Sequence, residues 1–196
     1  NALTVWDVAA KGNYVYAQAK DNNDNTKSGL YVFDVSDGSN PQNVTPSDES
    51  FHFTVGDAAV GALLVDGNNL FALTWDNPAY LLRYDITAPH NPVLLSKHRL
   101  QTVSTPRDMV KIGNYMYIAA CGGISVVNLS ETNSDSLPRA GYDANLLSVG
   151  VYQDTLVYTA FGDSIYFSKV IGDGTITQLG TRQFSGMERT TDVTIS

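Results

Sequence analysis

The chain has 196 residues, 43% apolar and 16% charged, which is enough to bury a core and too ordered a composition for a disordered segment. A formal charge of −8 without any basic cluster excludes nucleic acid as an expected partner, because that binding needs grouped Lys and Arg to displace counterions. The lone cysteine, Cys121, excludes an intramolecular disulfide, and no apolar stretch approaches the roughly 20 residues that cross a bilayer.

From the N-terminus, Asn1-Ala2 reads as a tag remnant, so the natural start is expected to have been removed, and no signal peptide is recognisable. Asp7-Val8-Ala9-Ala10 then leads into the corner Gly12-Asn13 and the alternating strand Tyr14-Val15-Tyr16-Ala17. The strand Leu30-Tyr31-Val32-Phe33 stops at Asp34, and a polar turn ends on Asn40-Pro41. The segment Ala58 to Leu64 is apolar enough to be ambiguous, but its glycines and the corner that follows favour a strand. The corner-and-strand pattern returns at Gly67 and Gly113, and more weakly at Asp154, with spacings of 55, 46 and 41 residues. The polar turn returns as Asp85 to Asn91-Pro92. Asp34 and Asp85 are expected to bond turn amides through their side chains, and the prolines to stiffen the chain after the turn. No segment shows a convincing 3.6-residue apolar stripe.

Units of about 40–50 residues with four short strands have the size of a propeller blade. The expected fold is therefore all-β, a β-propeller of four consecutive four-stranded antiparallel blades, which either close by themselves or, the favoured reading, form part of a larger ring of about 6–8. One domain, 1–196, would hold blades at about 3–55, 56–105, 106–147 and 148–189. Thr191-Asp192-Val193-Thr194 resembles Trp6-Asp7-Val8-Ala9, so 190–196 reads as the start of a fifth repeat. Two open blade flanks would allow two copies to pair as a homodimer that completes a ring.

The pattern Asp7-Val8 … Gly12-Asn13-Tyr14, then Gly29-Leu30 … Asp34-Val35-Ser36, then Asn40-Pro41 resembles the LVIVD-repeat β-propellers. The run Pro106 to Tyr117 is similar, whereas the fourth unit lacks the Asn-Pro and has Ser168 where Asp belongs. The resemblance implies a bacterial protein that is extracellular, periplasmic or anchored at the cell surface, with a binding role more than a chemistry.

Several residues are candidates for a site, each with a purely structural alternative. Asp7, Asp57, Asp108 and Asp192 fall near the start of successive first strands and could ring a channel mouth, or each could cap its own blade. Trp75, Asp76, Asn77 and Tyr80 form a hairpin tip suited to stacking on a sugar, unless Trp75 packs between blades. Asp21, Asn23 and Asn25 have the spacing of a calcium loop, but Thr26 and Val32 break the pattern and a solvated turn is the favoured reading. Calcium is the one cofactor suggested. Cys121, between Ala120 and Gly122, reads as a small buried residue, and His52, His90 and His98 lack metal spacing. The sequons at Asn43 and Asn128 are short enough to arise by chance.

These readings converge on a non-catalytic, extracytoplasmic binding module for a glycan or a protein. The alternatives are a lyase or hydrolase working through the Asp set, and a structural repeat of a surface protein.

Overall fold

The computed structural model describes residues 3–53, 62–75, 78–101, 104–132, 135–140, 145–160, 164–172 and 174–183. Among the described residues sixteen strands form four antiparallel sheets of four, each made of consecutive strands in chain order. Sheet A holds β1 (Leu3–Lys11), β2 (Tyr14–Asp21), β3 (Gly29–Asp34) and β4 (Gln42–Asn43). Sheet B holds β5 (Leu63–Asp66), β6 (Asn69–Leu73), β7 (Tyr80–Asp85) and β8 (Val93–Arg99). Sheet C holds β9 (Ser104–Ile112), β10 (Tyr115–Cys121), β11 (Gly123–Asn128) and β12 (Leu137–Ala140). Sheet D holds β13 (Leu146–Tyr152), β14 (Thr155–Ala160), β15 (Ser164–Val170) and β16 (Ile176–Gln183). Among the described residues the only helical pieces are 3₁₀ turns at Asn25–Lys27 and Glu49–Phe51. The all-β expectation and the four-by-four strand count therefore hold. The expected start of a fifth repeat at 190–196 lies outside the described residues, as does most of the ambiguous segment before Leu63.

The chain divides into two compact units, Asn1–Lys97 and His98–Ser196. In the first, Tyr16, Leu30 and Val32 of sheet A pack against Leu70, Ala72, Leu82 and Tyr84 of sheet B. In the second, Tyr117, Ala119, Ile124 and Val126 of sheet C pack against Leu156, Tyr158 and Ala160 of sheet D. Alternation explains this. Every second residue of a strand shares a face, so the residues four and six after the corner glycine point one way and those three and five after it point the other.

The hairpin corners repeat with little variation. Gly12, Gly67 and Gly113 have φ of 58°, 58° and 56°. Positive φ at the first central residue is the type II′ hairpin requirement that glycine meets without strain. The fourth corner corrects the sequence reading by one residue. Tyr152 pairs with Thr155, so the two central residues are Gln153 and Asp154. Gln153 takes the glycine place, at φ 54°. Asp154 stands where the other corners have Asn13, Asn68 and Asn114. The carbonyls of these four residues accept the amides of Val35, Ile86, Leu129 and Val170 at 2.7–2.8 Å.

The same correction moves the end of the third strand. Tyr14 pairs with Asp34 and Asn69 with Asp85. Tyr115 pairs with Asn128, and Thr155 with Lys169. Lys169, not Ser168, thus occupies the Asp position in sheet D. Its ammonium lies 3.2 Å from the Asp154 carboxylate. In the other sheets the side chain closes an Asx turn. Ser36 N donates to Asp34 Oδ1 at 2.8 Å, Thr87 N to Asp85 Oδ1 at 2.8 Å and Ser130 N to Asn128 Oδ1 at 3.0 Å. The Asn128 sequon is therefore this corner seen in its amide form.

Candidate functional site

Asp7 and Asp108 lie five residues before their corner glycines, on the first strands of sheets A and C. Each closes back on its own strand, where Val8 N donates to Asp7 Oδ1 and Met109 N to Asp108 Oδ1, both at 2.8 Å. Each also reaches the first strand of the neighbouring sheet in its unit. Leu63 N donates to Asp7 Oδ2 at 2.6 Å, and Val149 N to Asp108 Oδ2 at 2.8 Å. The Ser148 hydroxyl adds a third bond to Asp108, at 2.8 Å. In sheets B and D the matching positions hold Ala62 and Ser148, so carboxylates stand at this position in alternate sheets. Asp57 and Asp192 lie outside the described residues. The geometry of Asp7 and Asp108 is that of a lock between adjacent sheets.

The Asn/Asp-rich loop folds upon itself. Asp21 is buried, and its Oδ1 accepts from Asn23 N at 2.8 Å and Asp24 N at 3.2 Å. Asn23 is exposed, and the side chain of Asn25 lies outside the described residues. The Thr26 hydroxyl and the Lys27 ammonium beside Asp24 hold its carboxyl below the usual carboxylate range. Among the described residues no three His, Cys, Asp or Glu side chains cluster as a metal-binding group.

At the tip after β6, Trp75 is half-buried, whereas Asp76 and Asn77 lie outside the described residues. Tyr80 and Thr74 close the tip through Thr74 N to Tyr80 O at 2.9 Å and Tyr80 N to Thr74 Oγ1 at 3.0 Å. The Lys97 ammonium sits 3.9 Å above the Tyr80 ring, so one face of that ring already carries a cation. Cys121 is half-buried at the end of β10, where the Thr105 hydroxyl donates to its sulfur at 2.6 Å.

The sequence reading missed a cavity of about 320 Å³ in the first unit, lined by Pro46, Asp48, Phe51, Asn91, Pro92, Val93 and Leu94. One wall is the segment after β4. Gly29, at φ 146°, lets it approach, since a Cβ there would collide with the Phe51 carbonyl oxygen. Phe53 N donates to Ser28 O at 3.0 Å, which ties the segment to the start of β3. Phe51 packs on Tyr84 with ring centroids 5.6 Å apart. Burial pushes the Tyr84 phenol up, and the nearby Asp48 charge adds to the effect.

The other wall is the Asn-Pro turn and the start of β8. There Val93, Leu94 and Leu95 are 55%, 36% and 46% exposed, three consecutive apolar residues in contact with water. β8 is the outermost strand of sheet B, so one of its backbone edges has no neighbour within that sheet. The signal was present in the sequence, as an apolar run directly after Pro92.

No family model matches the chain, and no curated protein matches it. Among solved structures it is similar to the computationally designed Ika8 protein, with a TM-score of 0.65 and 16% identity over 98% of this chain and 52% of that one. It is similar also to the designed Ika4 protein, with a TM-score of 0.53 and 16% identity over 90% of this chain and 92% of that one. The chain thus spans about half the length of the first. At this identity the likeness carries the fold alone.

Proposed function

We propose that the chain is a non-catalytic β-propeller binding module of the LVIVD-repeat type that takes an extended segment of a partner protein along β8. The single observation that carries this is the apolar run Val93 to Leu95 on an outermost strand, continuous with the cavity at Pro46, Phe51 and Pro92. An edge strand with open backbone groups is a template for strand addition, and a neighbouring apolar cavity can select a side chain. Four sheets of one pattern, joined by recurrent corners, support the propeller reading. An extracytoplasmic setting follows from the LVIVD resemblance. The locked geometry of Asp7 and Asp108 favours a structural part for them over a catalytic one. The cation over Tyr80 favours a protein ligand over a sugar stacked at that tip.

The test is selection of binders from a random-peptide display library, followed by titration of the selected peptides. Leu95→Asp is expected to weaken binding at least tenfold, about 1.4 kcal/mol, while Trp75→Ala leaves it unchanged. Failure to select any peptide, together with glycan-array binding that Trp75→Ala removes, would replace this reading with the sugar-binding one.

A further inference from the structure

The cavity beside β8 carries a charge as well as carbon. Pro46, Phe51, Pro92 and Val93 give it apolar surface, but Asp48 and Asn91 line it too, and no lining residue is basic. Asp48 and Asn91 are exposed, whereas Pro92 is buried and Phe51 is 2% exposed. The cavity is thus apolar at depth and polar where it meets water.

The backbone holds Asp48 in that place. The 3₁₀ turn Glu49–Phe51 follows it directly, and Phe51 N donates to Asp48 O at 3.1 Å. One turn therefore fixes both the acidic residue and the aromatic ring. Burial pushes the Tyr84 phenol up and the Asp48 charge adds to it, so the field of this carboxylate reaches the ring on which Phe51 packs.

These walls discriminate among side chains. A wholly apolar one would cover Phe51 and the prolines, but it would strip water from Asp48 and return no hydrogen bond. An acidic one would meet a like charge. A side chain with an aliphatic stem and a cationic head satisfies both surfaces, the stem on carbon and the head on the carboxylate. Arginine fits better than lysine. Its planar guanidinium lies flat on apolar faces and offers several donors at once, to a carboxylate and to an amide oxygen. The formal charge of −8 draws a cationic segment toward the chain. Lys97 does not oppose it. That residue stands four positions beyond Val93, about 13 Å along a strand and more than a Debye length away, with its ammonium on the Tyr80 ring.

We propose that the cavity takes an arginine side chain of the extended partner segment, with the guanidinium on Asp48 and the stem against Phe51 and Pro92. The inference rests on the β8 reading for the rest of the ligand, but the cavity can be probed without it.

The probe is N-acetyl-arginine N-methylamide, titrated to about 20 mM at constant ionic strength, since one side chain binds in the millimolar range. It is expected to move the amide resonances of Asn91, Val93 and Leu94. The norleucine analogue, which has a stem without the charge, is expected to leave them in place. Asp48→Asn should weaken arginine binding about fivefold, the upper end for a partly solvated ion pair, and Asp48→Ser replaces it should the first variant lose its circular dichroism spectrum. Glu49→Gln, adjacent in sequence but outside the cavity lining, should change nothing. An arginine probe that moves no resonance, a norleucine probe that binds as well, or binding indifferent to Asp48→Asn would each overturn the inference. Selected peptides that bind and are lost with Leu95→Asp, while the arginine probe stays silent, would overturn this inference alone. An arginine probe that binds where no peptide can be selected would sustain it and overturn the β8 reading.

Discussion

The two units solve one packing problem with different side chains. In the first, polar groups tie sheet A to sheet B. The Lys11 ammonium reaches Asn68 Oδ1 at 2.6 Å and the Ile86 carbonyl at 3.1 Å, and Gln18 reaches Leu73. The Tyr16 hydroxyl donates to the Pro89 carbonyl at 3.0 Å, and burial pushes that phenol up to about 12. In the second unit Ile112 and Ala119 take the places of Lys11 and Gln18, and they pack within the apolar cluster instead. The second unit adds a side-chain tie at the lock, where the Ser148 hydroxyl joins the Met109 and Val149 amides on Asp108. What repeats is therefore the position of each tie in the strand, and the residue type is free to vary around it.

The largest expected effect comes from breaking the locks. Asp108→Ala strands two backbone amides and a hydroxyl, and should cost about 3 kcal/mol in urea unfolding, as hydrogen bonds to charged groups are strong. Asp7→Ala strands two amides and should cost about 2 kcal/mol. Ser148→Ala, which makes the second lock like the first, should bring the two costs together. Equal losses for both Asp variants in the presence of Ser148 would show that the third bond adds nothing.

A smaller effect, of opposite sign, is expected at the fourth corner. Gln153 holds φ 54° where three glycines hold 56–58°. Positive φ costs a side-chain-bearing residue about 1–2 kcal/mol, part of which glycine gives back as chain entropy. Gln153→Gly should therefore stabilise the protein by about 0.5–1 kcal/mol, read from the urea midpoint. A loss of stability would mean that the fourth corner is held by contacts of the Gln153 side chain.

The smallest effect separates the units by acid. The Ser36 and Thr87 hydrogen bonds hold Asp34 and Asp85 below the usual carboxylate range. A lowered carboxyl contributes stability above its unfolded pKa, and that contribution is lost as pH falls through the folded one. In the second unit the same position carries Asn128 and Lys169, which accept no proton in that range. Lowering the pH from about 5 to 2 should move the Ser36 and Thr87 amide resonances, and Asp34→Asn and Asp85→Asn should each hold the matching resonance in place. A shift that survives the substitution would point to a general acid transition in place of two local ones.

The recurrence of Gly-Asn corners and Asp turns made the strand count and order legible, because both residue types answer a backbone demand that must be met once per sheet. The fourth sheet was read one residue out of register. There Gln153 and Lys169 meet the same demands without the usual residue types, and only the pairing reveals them. The lock was visible as an aspartate at a fixed distance before the corner, but its partners are backbone amides of another sheet, which leave no mark on a sequence. The cavity escaped for a related reason. Its walls at Phe51 and Val93 are far apart in the chain, and the Phe51 wall can close on the start of β3 only because Gly29 has no side chain.

The bulge between Val5 and Asp7 sets Trp6 apart from the regular pairing of β1, and its indole nitrogen is buried with no acceptor among the described residues. The only other tryptophan, Trp75, belongs to the same unit. Tryptophan emission therefore originates in the first unit, while the single thiol, Cys121, lies in the second and can carry a dye. The protein has separate optical channels for its two halves without a single substitution.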